Sequence, residues 1–270
     1  MSTRLVRSEL HPFHIVDPSP WPLVTAFSAF FIVFGLVLYM HSFSLGFQLL
    51  FFGLFATIIN ASFWWRDVIR EGTFEGAHTA AVQHGLRFGM ILFIVSEVML
   101  FFAFFWAFFH SSLNPVPEIG CVWPPKGIHT ISPWEIPLLN TTLLLTSGAS
   151  LTWAHAALFG GYGKEVISGL IVTIALAVLF TAFQVYEYRN APFNINDSVY
   201  GSAFYMLTGL HGAHVIIGTL FLTVALYRAV KHHFTTQTHI GFEAAAWYWH
   251  FVDVVWILLF LAVYAWGDGV

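Results

Sequence analysis

The chain has 270 residues, of which 58% are hydrophobic and 9% charged, with a formal net charge of −4 and a mean hydropathy of +0.75. Soluble domains carry about 25% charged residues, so this composition leaves too little polar surface for a water-soluble globule and specifies an all-α integral membrane protein. One cysteine, Cys121, excludes an internal disulfide and a cysteine-based metal site, and the absence of a basic tract argues against nucleic acid as a partner.

Charge gaps locate the spans. Arg4, Arg7 and Glu9 precede a polar, proline-bearing stretch without the pattern of a secretory signal, so the first span is expected to do its own targeting. No charge lies between Asp17 and Arg66, a gap that holds two spans, 23–40 and 45–65, joined by a tight turn at His41–Ser44. A polar loop with Arg66, Asp67, Arg70, Glu71 and Glu75 follows. The third span, 78–110, contains MILFIVSEVMLFFAFFWAFF, whose 20 residues cover roughly 30 Å of hydrocarbon. Five prolines between Ser111 and Pro133 exclude a helix there. Spans at 134–158, closed by Gly160, Gly161 and Gly163, then at 166–186, 199–227 and 244–266 complete a set of seven. The whole chain, 1–270, reads as one transmembrane domain without an internal repeat.

With seven spans, Arg4, Arg7, Arg66, Arg70, Arg87, Lys164, Arg228 and Lys231 share one side, and only Lys126 and Arg189 fall on the other. Positive charge marks the inner side, so the N-terminus is expected inside and the C-terminus outside. Trp and Tyr cluster at the proposed span ends, as an aromatic belt requires.

Glu97 lies near the middle of the third span, where an acid costs about 2–4 kcal/mol on insertion scales and is cheapest to keep protonated. Its helical face (Met90, Phe93, Ile94, Leu100, Phe101, Phe104) is apolar, so no proton relay runs along this helix and a partner must come from another helix or from headgroup water. Two readings stand: a proton-handling or ligand-facing acid, and a structural acid bonded between helices. His211 and His214 share a face of the sixth span; a metal site would need a third ligand, and packing with interhelical hydrogen bonds is the favoured role, with Gly209 and Gly212 admitting a close neighbour. A bond from His211 to Glu97 would satisfy two costly groups together. His250 and Asp253, three apart, suit a buried polar network, and His110 and His155 are expected at the interface. Gly85 and Gly89 give a weak small-xxx-small match. On the inner face, Arg70, Glu71, His78, Arg228, Lys231, His232 and His233 fit either an anionic headgroup site or plain positive-inside topology. No nucleotide loop and no metal set is visible in the pattern.

Long ordered segments then resemble one family: HPFHIVDPSPWP at 11–22, WWRDVIREGTFEG at 64–76, GMILFIVSEVMLFFAFFWAFFHSSL at 89–113, VWPPKGI at 122–128, YEYRNAPFNINDSVYGS at 186–202, GLHGAHVIIGT at 209–219 and GFEAAAWYWHFVDVVW at 241–256. The sequence resembles subunit III of cytochrome c oxidase over essentially its whole length. The resemblance implies two helices leaning away from five, with a V-shaped cleft filled by phospholipid. It implies that this chain has no catalytic residue, metal or redox cofactor, with haem A and copper in subunits I and II, its partners together with supernumerary subunits. It implies that Glu97 matches a carbodiimide-reactive carboxylate, and that Trp65, Arg70, Glu71, His78, Arg228 and His233 match lipid-headgroup contacts. The implied role is to stabilise the catalytic core, support proton uptake and oxygen access, and protect against turnover-linked inactivation, while the complex reduces oxygen and pumps protons. In TWAHAAL, Ala156 stands where the family commonly has a second histidine, which weakens any role for a histidine pair there. The compact loop between the third and fourth spans points to the mitochondrial inner membrane, with the N-terminus in the matrix and the C-terminus in the intermembrane space; the alternative is a bacterial plasma membrane.

Two rivals remain at this level. A lone transporter or proton channel should line several helices with polar residues or break one at mid-membrane. A quinol oxidase subunit III differs in an electron donor that docks elsewhere.

Overall fold

The computed structural model describes residues 11–267; Arg4 and Arg7 of the side assignment, and Glu9, lie outside it. Among the described residues there are seven α-helices and no strand: α1 Trp21–Met40, α2 Gly46–Thr73, α3 Ala80–Leu113, α4 Ile136–Phe159, α5 Gly163–Asn190, α6 Val199–Val230 and α7 Ile240–Leu259, the last continued by a π-helical turn at Phe260–Ala265. The chain divides into two compact units, one up to Leu86 and one from Arg87.

Length and apolarity explain most of the helices. Six of them (all but α4) are long and apolar enough to cross a membrane. Several outrun the sequence reading. The expected loop after residue 65 is helix as far as Thr73, and α5 runs on to Asn190. Charges end an apolar run, but Arg, Asp and Glu are compatible with helix, so the backbone continues past the hydrocarbon. Local signals set other ends. Pro22 and Pro137 sit in the first turns of α1 and α4, where a missing N–H costs nothing. The Ser198 hydroxyl accepts from the Gly201 N–H at 3.2 Å and caps α6.

In the first unit, α1 and α2 pack backbone to backbone. A Cβ on Gly35 would collide with the Leu50 backbone, one on Gly46 with Tyr39, and one on Gly53 with Ile32. Small residues permit this approach, which van der Waals contact then rewards.

In the second unit, α4 packs on α5 and α7, and α6 on α5 and α7. α4 falls short of the apolar criterion because Asn140, Thr141, Ser147 and Ser150 line it. Each has a partner inside the unit. The Trp249 indole N–H donates to Ser147 Oγ at 2.9 Å and that of Trp256 to Thr141 Oγ1 at 2.9 Å. Asn140 donates to Gln184 Oε1 at 3.3 Å, and Ser150 shares a 2.7 Å bond with Thr173. With no water in a bilayer core, such groups must be satisfied within the protein. α3 meets its neighbours through long side chains: Phe93 on Tyr248 and Phe101 on Phe251.

The small residues expected to mediate packing are not those that do. Gly85, Gly89 and Gly212 face open space, and Gly209 meets only the Tyr188 hydroxyl, at 3.9 Å. Gly218 instead lies under the Trp249 ring, at 2.9 Å from the position a Cβ would take. We expect Gly35→Ala to destabilise the protein by about 1–3 kcal/mol through overpacking, and Gly85→Ala to be neutral or to stabilise by up to about 1 kcal/mol of helix propensity. Thermal denaturation of the two variants in detergent measures the difference.

Candidate functional site: a half-buried acid and its histidine

The apolar face of α3 places Glu97 against α6. Its Oε2 lies 2.8 Å from Nε2 of His214, with side chains only 19% and 8% exposed. The partner is therefore His214, and not His211 as expected. His211 is turned toward α7, where its Nε2–H donates to the Val252 carbonyl at 3.2 Å. Positions three apart lie about 60° apart around a helix, so only one of the two faces α3.

A second bond fixes the chemistry. His214 Nδ1 lies 2.7 Å from the Leu210 carbonyl. A carbonyl can only accept, so Nδ1 carries a hydrogen. Nε2 and the carboxyl then hold one further proton between them. Whichever atom carries it, the pair is neutral overall, and both groups keep a partner. Rings enclose it: Phe101 at 5.0 Å from the imidazole centroid, Tyr248 stacked at 6.3 Å and Phe251 at 6.3 Å.

Near the pair, α3 and α7 border an open groove of about 1130 Å³, lined by Val98, Phe101, Phe105, Trp106, Phe251 and Leu258 among others. Its lining is almost wholly apolar, which suits an acyl chain or a lipid-facing surface.

The other expected residues lie as follows. His250 Nδ1 is 3.5 Å from Asp253 Oδ2, as their spacing suggests; Asp253 is buried, and Gly148 leaves the room its carboxylate occupies. Trp65 and Arg70 are exposed near the end of α2, while Glu71 and His78 are half-buried. Arg228, at the end of α6, lies over the Phe234 ring at 4.4 Å and packs against Gly241. His233 is half-buried just beyond. Burial, then the charges of Arg228 and Lys231, hold the imidazole below its ordinary value and favour the neutral ring. His110 is exposed. His155 is not: it packs against His239, Phe159 and Phe242.

Three groupings escaped the sequence reading. Glu187, one residue past the expected fifth span, is buried, accepting from Tyr264 Oη at 2.7 Å and Gln184 Nε2 at 3.0 Å. The i, i+3 spacing of Gln184 and Glu187 was its only local signal. Arg87 donates to Glu243 from Nε at 2.7 Å and from its terminal nitrogen at 3.2 Å, and His239 Nε2 stands 3.3 Å from the same carboxylate. Last, His14, Glu71 and His78 converge with ligand atoms within 4.8 Å of one another. No metal set was visible in the pattern because His14 is far from the other two in the chain.

If Glu97 and His214 form one unit, their substitutions cannot be additive. Glu97→Ala and His214→Ala should each cost about 1–2 kcal/mol, near the penalty of an orphaned buried polar group, and the double variant should cost clearly less than the sum. Thermal or denaturant unfolding of all four proteins measures the coupling; strict additivity would mean that no bond joins them.

Comparison with known proteins follows the same residues. A family model described as cytochrome c oxidase subunit III matches residues 11–268. Cytochrome c oxidase subunit 3 of Prototheca wickerhamii is 62% identical over 96% of this chain and 99% of its own length. The proteins of that name from Arabidopsis thaliana and Scyliorhinus canicula are each 57% identical, covering 97% and 96% of this chain and 99% of their own. At that identity over nearly the full length, the chain belongs to the cytochrome c oxidase subunit III family.

Proposed function

We propose that this chain is an accessory subunit of cytochrome c oxidase, the terminal oxidoreductase complex of a respiratory chain. It acts beside subunits I and II, which carry haem A and copper, and beside supernumerary subunits. It binds no redox centre itself. Its work is to stabilise the catalytic subunits, hold phospholipid, and support proton uptake and oxygen access. Mitochondrial relatives and the eight-to-two division of Lys and Arg support a mitochondrial inner membrane location, with the N-terminus in the matrix and the C-terminus in the intermembrane space.

The observation that carries this reading over a lone proton channel is the Glu97–His214 bond on an otherwise apolar α3 face. The acid is matched by one base and ringed by aromatics, not strung along a polar path. A conducting helix would need further polar partners at successive turns.

The lipid role rests on two sets of residues, one in each unit. Trp65, Arg70, Glu71 and His78 offer an indole, a guanidinium and hydrogen-bonding partners for a headgroup. Arg228 with His233 offers a second cationic end. Cations near the surface attract anionic headgroups at about 1 kcal/mol each.

Gentle purification of the tagged chain should bring two large partners and haem A absorbance with it; a chain that purifies alone, or moves protons into liposomes by itself, would overturn the assignment. Arg70→Ala should lower the phospholipid retained by the complex and shorten its working life in turnover. Lipid mass spectrometry and the decay of oxygen consumption measure both, and unchanged lipid content would remove Arg70 from the site.

A further inference from the structure

The N-terminal segment, the last turn of α2 and the connection to α3 assemble a cluster that the Glu97–His214 pair does not use. His14, Glu71 and His78, all half-buried, present two imidazoles and one carboxylate with ligand atoms within 4.8 Å of one another. Residues distant in sequence are held there by bonds of their own. The Thr79 hydroxyl donates to the Pro12 carbonyl, tying the segment that bears His14 to the connection that bears His78. The Ala77 N–H donates to the Glu71 carbonyl at 3.0 Å, and the Gln83 side chain to the His78 carbonyl at 2.9 Å. The His78 ring lies over Gly72, where a Cβ would stand 2.6 Å from Nδ1. The His14 and His78 ring centroids are 6.2 Å apart.

We propose that His14, Glu71 and His78 bind a divalent transition-metal cation, zinc being the best match. Imidazole nitrogen selects zinc and its neighbours over calcium and magnesium, which prefer oxygen. Two histidines and one glutamate make a three-ligand zinc set, with the fourth tetrahedral position left to water. Zinc bonds near 2.0–2.1 Å put neighbouring ligand atoms roughly 3.4 Å apart, a spacing inside the 4.8 Å within which all three ligand atoms lie here. The carboxylate offsets part of the ion's charge, and neither histidine may be protonated while it binds.

Glu71 and His78 are also named for the headgroup site, so the two readings share these side chains; His14 belongs to the metal site alone, and Trp65 and Arg70 to the headgroup site alone.

The test uses the intact purified complex that contains this chain. Parent, His14→Ala, Glu71→Gln and Arg70→Ala complexes are equilibrated at buffered free zinc, freed of excess, and assayed for metal and phospholipid by mass spectrometry. The parent should hold one zinc more than His14→Ala and Glu71→Gln, and Arg70→Ala should keep that zinc while losing lipid. Equal zinc in parent and His14→Ala overturns the proposal, as does zinc lost from Arg70→Ala in step with phospholipid, which puts the ion on lipid phosphate. Should a variant fail to assemble, the unaltered complex decides: zinc should shield His14 and His78 from diethyl pyrocarbonate, read by peptide mass spectrometry, and equal labelling overturns the proposal.

Discussion

An acid in hydrocarbon must find a hydrogen-bond partner inside the protein, and the bond from Glu97 to His214 meets that requirement. Its consequences reach outward. α6 must be rotated so that His214 faces α3, which turns His211 toward the Val252 carbonyl of α7. Phe101, Tyr248 and Phe251 then close around the imidazole. The pair is neutral overall, so no counter-ion is needed and none lies along the helix face. Truncating either partner would strand the other.

The same constraint organises the rest of the second unit. The polar residues that make α4 less apolar than its neighbours are what the indoles of Trp249 and Trp256 bond to. Glu187 is covered by Tyr264 and Gln184, and Glu243 by Arg87 and His239. The Glu187 and Glu243 groupings sit toward helix ends, whereas Glu97 sits mid-helix. The first unit depends less on polar bonds: α1 and α2 are held by the close approach at Gly35, Gly46 and Gly53. Here too a side-chain bond crosses the pair, from the Trp21 indole to Asp67 at 2.6 Å.

Much of the fold was legible because apolar runs of sufficient length admit one backbone solution in a bilayer. Each expected span corresponds to one helix. The ends were less legible: α2 continues through Arg66, Asp67 and Arg70 because charges mark the hydrocarbon boundary and not the end of hydrogen bonding. The need for Glu97 to find a partner on another helix was also legible, but which histidine supplies it was not. His211 and His214 are equivalent in spacing, and their roles are separated only by the rotation of α6, which its contacts with α3 and α7 together decide. Glu187, His155 and the trio of His14, Glu71 and His78 share this character. Their environments are made by residues far away in the chain, and no local period reports them.

The central claim is that Glu97 is held by His214. Infrared spectroscopy of the intact complex tests it most directly, with the Glu97 carboxyl band assigned by subtracting a Glu97→Gln spectrum. The account predicts that this band shifts when His214 is replaced by alanine and stays in place when His211 is. A band indifferent to His214, or one that moves only with His211, would contradict it.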